Sequence, residues 1–224
     1  MTLVDNEVPH RIMTAPIFTD AFRNELEQLF RWRRDVRRFQ STPLPAGSLR
    51  YLIAMAATAP SVGYSQPARF VHVASGERRA AIVSEYERCN REALDAYDGS
   101  KRALYATLKL AGLREAPVHL AVFADESTGR GSGLGRRQMP ETIAYSVVAA
   151  VQTLSLAARA EGIGVGWVSI VDPQRVHEIL DIDDAWRLIA YLCVGYPVEE
   201  HEDRELVRVG WEHADPTSTL LFER

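Results

Sequence analysis

The chain has few cysteines, no long apolar run and no excess of positive charge. Its 224 residues include only two cysteines, Cys89 and Cys193, which are too few for a disulfide framework and suit the reducing cytosol. Residues 143–158 carry no charge, but this stretch is shorter than the roughly 20 residues that a membrane-spanning helix needs. The net charge of −4 lacks the concentrated positive field that binds nucleic-acid phosphates. We therefore expect a cytoplasmic protein whose partners include neither membrane nor nucleic acid.

Signatures of common catalytic and metal sites are also missing. The six histidines have no metal-site spacing, either among themselves or with the cysteines. The chain contains no P-loop and no G-x-S-x-G nucleophile elbow. Its glycine-rich stretch, residues 161–169, follows a helical pattern, whereas a dinucleotide-binding fingerprint follows a strand and opens a helix. The sequence therefore predicts no metal site and no Rossmann domain.

The composition and the apolar periodicity predict one folded domain. Hydrophobic residues make up 46% of the chain and charged residues 25%, which is ordinary for a globular protein. The patterns predict helices at 20–34, 49–57, 77–113 (broken near 98–100), 140–161 and 174–180, and strands at 69–74, 117–124, 165–170 and 188–194. This alternation favours an α+β or three-layer αβα domain. The helix containing residues 143–158 is apolar nearly all round, so we expect it to lie in the core or in a subunit interface.

The densest charge lies in residues 31–38, which contain five arginines and one aspartate. Arginine presents a planar fork that matches phosphate and carboxylate oxygens, so this cluster favours a pocket for an anionic ligand. A solvated basic edge that pairs with glutamates is the alternative. Asp35 lies between arginines, where positive charge favours an ionised carboxylate that can act as acceptor or base. A plain salt bridge is the alternative role for Asp35.

Two further segments have the composition of ligand-contacting backbone. Residues 59–67 form a loop stiffened by two prolines, in which Gly63 permits a close approach and Ser61, Ser65 and Gln66 offer neutral hydrogen-bonding groups. An ordinary connector is the alternative. Glycine at every second position from 162 to 166 indicates a strand whose flat face lies against a planar ligand or against another backbone.

Together these segments resemble the nitroreductase-like flavoproteins across nearly the whole chain. The motifs are the arginine cluster, the Ala-Pro-Ser-Val-Gly-Tyr-Ser-Gln-Pro loop, the Leu-Lys-Leu-Ala-Gly-Leu stretch and the Gly-Val-Gly-Trp-Val-Ser strand. The usual arginine motif of that superfamily is Arg-x-Ser-x-Arg, and here Asp35 stands in the place of serine. This set looks like the flavin-destroying branch, the 5,6-dimethylbenzimidazole synthases. Two positions depart from the superfamily, Ala68 and Ser155, where aromatic residues are usual.

The resemblance implies a dimer of three-layer αβα subunits, each with a central mixed sheet flanked by helices. The chain would divide into an N-terminal arm (1–20), an FMN domain (21–198) and a C-terminal tail (199–224) packed on the partner subunit. The implied reaction uses reduced FMN and O2 and yields 5,6-dimethylbenzimidazole, the lower ligand of cobalamin, with erythrose 4-phosphate. NAD(P)H would act indirectly as reductant, with a separate flavin reductase as a possible partner.

The resemblance also implies roles for individual residues. The catalytic residues would be Asp35 and Ser169. The FMN-binding residues would be Arg33, Arg34, Asp35, Val36, Arg37, Ser61, Leu108, Ser169 and Arg208. A conventional NAD(P)H-dependent nitroreductase or flavin reductase, and a non-catalytic FMN-binding module, are the alternative functions.

Overall fold

The computed structural model describes residues 15–109 and 111–213. Most of the expected N-terminal arm and the end of the expected tail therefore lie outside the described residues. The helices are α1 (Asp20–Trp32), α2 (Ser48–Ala56), α3 (Gly76–Asp95), α4 (Gly99–Thr107), α5 (Thr142–Ala160), α6 (Pro173–Leu180) and α7 (Glu205–Arg208). The strands are β1 (Ala68–His72), β2 (Val118–Asp125), β3 (Gly164–Val168) and β4 (Trp186–Gly195). Most of these bounds lie within a few residues of those that the sequence predicts, including the break between α3 and α4, but the predicted helix 77–113 ends earlier, at Thr107, and α7 is not among the predicted helices.

The four strands form one sheet in the order β1-β2-β4-β3. Neighbouring strands are antiparallel throughout, so the expectation of a mixed sheet is corrected for these strands. In the described residues, parallel pairing is confined to a single bridge between Asp35 and Val165. The chain between β3 and β4 begins and ends at the same end of the sheet, whereas a parallel neighbour requires a crossover along the full strand.

Helices cover both faces of the sheet, which confirms the α+β class and the three-layer αβα order. Successive side chains of a strand point to opposite faces. In β2, Leu120 and Val122 belong to a core cluster shared with α2 and α5. Ala121 and Phe123 belong to a second cluster, shared with α3 and α6. Because both faces are covered, β2 is almost continuously apolar.

Helix α5 is the main core helix. Seven of its side chains are buried, and it packs against all four strands. By length and composition alone α5 could cross a membrane, but its contacts are those of a core helix. One side of α5 is exposed, since Tyr145 is 56% and Val148 is 42% accessible. The sequence predicts that this helix lies in the core or in a subunit interface, and covering Tyr145 and Val148 would require a further surface.

The segment after α1 lies along the outer edge of β3. The Val36 N–H donates to the Val165 carbonyl at 3.0 Å. Glycine permits this approach: a Cβ at Gly166 would lie 2.0 Å from the Val36 carbonyl oxygen, and one at Gly164 would lie 2.7 Å from Val36 Cγ2. Gly166 thus lies against another backbone, one of the two arrangements that the sequence favours, whereas Gly164 lies against the Val36 side chain and Gly162 has no atom within 4 Å of a Cβ position.

Replacing Gly166 with alanine tests this contact. The added methyl group of Gly166→Ala forces Val36 away from β3, because a backbone atom cannot move aside as a flexible side chain does. We expect the substitution to lower the free energy of unfolding by about 1–3 kcal/mol. Gly76→Ala is the matched control, since a Cβ there meets no atom within 4 Å. Denaturant unfolding of the two variants gives the comparison. Equal stability of Gly166→Ala and wild type would contradict the packing described here.

Candidate functional site

The arginine cluster begins where α1 ends. The Thr19 side chain caps the start of α1, and the backbone is extended from Arg33 onward. From there the chain runs beside a cavity of about 370 Å³ between the cluster and the C-terminal tail. The predicted site residues that line this cavity are Arg33, Arg34, Asp35, Val36, Arg37 and Arg208. The cavity thus brings together six of the nine predicted site residues, from two distant parts of the chain.

Both oxygens of the Asp35 carboxylate accept hydrogen bonds. Oδ1 accepts from the Trp167 backbone N–H at 2.7 Å, and Oδ2 accepts from Arg37 Nε at 3.1 Å. The side chain of Asp35 is nevertheless 40% exposed. Asp35 therefore binds the edge of β3 and also exposes its carboxylate to solvent. This geometry is compatible with both of the roles that the sequence leaves open, a salt bridge and an acceptor or base.

Arg37 has donor capacity that the described residues do not use. Its side chain is only 13% exposed, and its Nη1 is buried without a hydrogen-bond partner among the described residues. Buried polar groups are nearly always paired in folded proteins. An unpaired guanidinium nitrogen next to a cavity is therefore suited to an oxygen atom of a ligand.

Residues 199–213, which we call the tail strap, pair with part of the cluster. Arg38 Nη1 lies 3.1 Å from a carboxylate oxygen of Glu199 and of Glu205. Arg34 Nε donates to the Glu202 carbonyl at 2.7 Å. Burial, together with positive charge at neighbouring arginines, lowers the pKa of Arg34. The strap thus supplies acceptors to the arginines that line the cavity.

Two further ion pairs involve the strap, one within it and one to α5. Arg208 Nη1 lies 2.6 Å from Asp203 Oδ1 within the strap. Arg159, at the end of α5, pairs through both of its terminal nitrogens with Glu200, at 2.6 and 3.0 Å. The sequence pattern did not indicate Arg159, because its partner is 41 residues away and no local spacing connects them.

The far end of the strap is anchored on α4 and on Tyr97, which lies between α3 and α4. The ring of Trp211 lies 5.4 Å from that of Tyr97 and 6.0 Å from that of Tyr105, edge to face. Lys101 Nζ lies 4.2 Å from the Trp211 ring and donates to its carbonyl. The described part of the tail therefore contacts its own chain. Its expected packing on a partner subunit stays a prediction.

The remaining three predicted site residues lie on other elements and do not line the cavity. Ser61 precedes a short 3-10 turn, and its Oγ accepts from the Gln66 N–H at 3.0 Å. Leu108 follows the last residue of α4. Ser169 is exposed and follows β3 directly, so the predicted strand 165–170 ends one residue before it. Ser169 lies two residues after Trp167, whose N–H binds Asp35, and the two predicted catalytic residues are thus connected through β3.

The close approach predicted at Gly63 is confirmed within the protein itself. Gly63 has a φ of +54°, and a Cβ there would lie 2.9 Å from the Leu134 carbonyl oxygen. Ser155, one of the departures from the superfamily pattern, lines the cavity, and its Oγ donates to the Val151 carbonyl at 2.9 Å. Ala68 is the first residue of β1.

Two buried titratable groups outside the cavity have structural partners. The hydrogen bonds from Arg88 hold the pKa of Glu85 at about 2, and Glu85 also accepts from the Asp172 N–H at 3.2 Å, which joins α3 to α6. Burial lowers the pKa of His119 to about 4, and its Nδ1 lies 3.0 Å from the Tyr191 hydroxyl. At neutral pH, Glu85 is therefore charged and His119 is neutral, and both serve packing.

Comparison with known proteins agrees with the fold. Residues 30–196 match the sequence model of the nitroreductase family. The chain belongs to the nitroreductase family. A protein of this family from Rhodospirillum rubrum, named 5,6-dimethylbenzimidazole synthase, is 52% identical over 203 residues, which cover 91% of this chain and 96% of that protein. A protein of the same name from Rhodobacter capsulatus is 40% identical, covering 89% of this chain and 97% of that protein.

A solved structure of the nitroreductase fold extends the comparison. The crystal structure of oxidised iodotyrosine deiodinase bound to FMN and 3-iodo-L-tyrosine superposes with a TM-score of 0.70 at 25% identity. The match covers 89% of this chain and 98% of that one. Both the family and the branch that the sequence motifs resemble are therefore confirmed by relatives that match nearly end to end.

Proposed function

We propose that this member of the nitroreductase family is a 5,6-dimethylbenzimidazole synthase. Its substrates are reduced FMN and O2, and its products are 5,6-dimethylbenzimidazole, the lower ligand of cobalamin, and erythrose 4-phosphate. The observation that carries the proposal is the 52% identity, over 91% of the chain, to a relative of that name. The structure supports it by placing Asp35, which replaces the usual serine, at the edge of an arginine-lined cavity.

The residues present fit an anionic flavin nucleotide. The unpartnered Nη1 of Arg37 and the neighbouring guanidinium groups suit phosphate, ribityl and ring oxygens. The residues that would hold FMN are Arg33, Arg34, Asp35, Val36, Arg37, Ser61, Leu108, Ser169 and Arg208. When bound, reduced flavin supplies the electrons for the reaction with O2. Ser61, Leu108 and Ser169 would meet the ligand from outside the cavity.

Asp35 and Ser169 are the proposed catalytic residues. Asp35 accepts a proton from the reacting substrate, because its carboxylate is both ionisable and exposed at the cavity. Ser169 offers a hydroxyl at the exposed end of β3. The hydrogen bond from Trp167 N–H to Asp35 fixes the relation between the carboxylate and this strand, and orientation of this kind decides which bond breaks.

Substituting Asp35 tests the proposed base. Asp35→Asn keeps the size of the side chain but cannot take up the proton, so formation of 5,6-dimethylbenzimidazole should fall by about 10²-fold or more. The amide also turns a donor toward Arg37 or Trp167, so we expect a modest loss of stability while the protein still folds and binds FMN. Chromatography after aerobic incubation with reduced FMN measures the product.

Ser169→Ala is the companion variant. It should be milder, because a neutral hydrogen bond contributes about 0.5–1.5 kcal/mol. A purely structural Asp35 predicts the opposite pattern, in which Asp35→Asn is less stable but its folded fraction forms product at the wild-type rate. That outcome would remove Asp35 from the chemistry.

The arginine cluster predicts recognition of the FMN phosphate. FMN should bind more tightly than riboflavin, since a hydrogen bond to a charged group contributes about 1.5–3 kcal/mol. Arg37→Gln should reduce this preference, whereas Arg50→Gln, an exposed change on α2 outside the cavity, should leave it unchanged. Fluorescence titration with both flavins measures the ratio. Equal affinities in the wild type would show that the cluster does not read the phosphate.

We also propose that the protein is a homodimer. Helix α1 has no buried side chain, although Phe22 and Phe30 lie on it, and α5 exposes Tyr145 and Val148. Removing such apolar surface from water stabilises a complex by about 25 cal/mol per Å². Sedimentation at micromolar concentration should give twice the mass of one chain. An active monomer under those conditions would contradict the dimer.

The proposal also includes a source of electrons and a cellular location. NAD(P)H would act indirectly, through a separate flavin reductase, in the cytoplasm. A conventional NAD(P)H-dependent nitroreductase is the second candidate, because the matching family model is that of the nitroreductase family. Aerobic incubation with reduced FMN separates the two: the synthase consumes FMN, whereas a conventional reductase returns it as oxidised FMN. Recovery of all the FMN with no product would leave the reductase or a non-catalytic FMN-binding module.

A further inference from the structure

We propose that Ser146 on α5 is a positioning residue that sets the conformation of residues 61–66 and, through them, the affinity for FMN. The inference rests on the proposed function, in which Ser61 contacts FMN. Its basis is a partly buried hydrogen bond between the core helix and this loop, which lie more than 80 residues apart in the sequence.

The hydroxyl of Ser146 joins two backbone groups. Its Oγ accepts a hydrogen bond from the Val62 N–H at 3.0 Å and donates one to the Thr142 carbonyl at 2.7 Å. Ser146 is 8% exposed, and it is the only buried polar side chain on α5. The Val62 N–H opens the 3-10 turn, where Ser61 makes no side-chain cap. Ser146 therefore supplies, from another helix, the acceptor that a local cap usually provides.

The loop needs such support because its backbone is strained. Tyr64 and Gln66 have φ values of +55° and +46°, in the left-handed region that non-glycine residues rarely adopt. Such conformations are unfavourable and persist only where the surroundings enforce them. Ser146 fixes one side of the loop, and the close contact of Gly63 with Leu134 fixes the other.

The same conformation sets the direction of the Ser61 hydroxyl. Ser61 Oγ accepts from the Gln66 N–H, which leaves the Ser61 hydroxyl hydrogen free to donate elsewhere. The position of this donor follows from the turn that Ser146 holds. Loss of the Ser146 hydroxyl leaves the Val62 N–H without its acceptor and releases the turn, so FMN binding should weaken although Ser146 does not touch FMN.

Four proteins make up the test: wild type, Ser146→Ala, Ser146→Thr and the matched control Thr153→Val. Thr153 also lies on α5 and bonds the carbonyl four residues earlier, at 2.9 Å, but its hydroxyl bonds no loop atom. We expect Ser146→Ala to weaken FMN affinity about tenfold, the effect of one buried unpaired N–H. Its KM for reduced FMN should rise by the same factor, with kcat within about twofold. Ser146→Thr should restore affinity, and Thr153→Val should leave it unchanged.

The outcomes separate this inference from its premise. If Ser146→Ala and Thr153→Val lose similar thermal stability and both bind FMN like the wild type, Ser146 is structural and the inference is wrong. If Ser146→Ala does not fold, a folded Ser146→Cys, whose sulfur is a weaker acceptor, must show reduced affinity or the inference fails. A wild type that binds FMN but forms no 5,6-dimethylbenzimidazole overturns the proposed reaction alone, since the affinity comparison remains valid. A wild type that binds no FMN overturns both.

Discussion

The contact between the backbone at Val36 and the glycines of β3 is the constraint on which the candidate site depends. A side chain at Gly166 would occupy the position of the Val36 carbonyl. Because β3 lacks these side chains, the segment after α1 reaches the sheet, and the Asp35 carboxylate reaches the Trp167 N–H. The edge of the sheet therefore fixes the backbone of the segment that carries the arginines of the site.

Charge balance is the second determinant of the site. Residues 31–38 carry five arginines and one aspartate, a net charge of +4. The tail strap carries six acidic residues and two arginines, a net charge of −4, and Glu199 and Glu205 of the strap pair with Arg38 of that cluster. The described fold thus brings together two segments of equal and opposite charge from the two ends of the domain, which explains how an acidic chain accommodates such a dense group of arginines.

The sequence predicts features that depend on local rules. Helix periodicity places α1 and α2, the break between α3 and α4 follows the Asp98-Gly99-Ser100 turn, and the alternating glycines indicate an approach to planar or backbone atoms. The arginine motif also predicts five residues that line one cavity, whereas Arg208 comes from the family resemblance alone. These signals are local, because each depends on spacing within about ten residues.

Several of the features that the sequence did not predict depend on long-range pairing. Strand direction in the sheet follows from how the connections run, which periodicity does not encode. The pairing of Arg159 with Glu200 and the bond from the Val62 N–H to Ser146 join segments 41 and 84 residues apart. A serine inside an apolar helix resembles any other tolerated polar residue until its partner is known.

The pairing of the outer edge of β3 with the segment after α1 also affects the association of one copy of the protein with another. An outer strand ordinarily presents unpaired N–H and C=O groups on which another chain can add as a further strand. Here the Val165 carbonyl accepts from Val36, and the Trp167 N–H donates to the Asp35 carboxylate. The segment that lines the cavity therefore also blocks strand addition at this edge, and a change that loosens it exposes a template for aggregation.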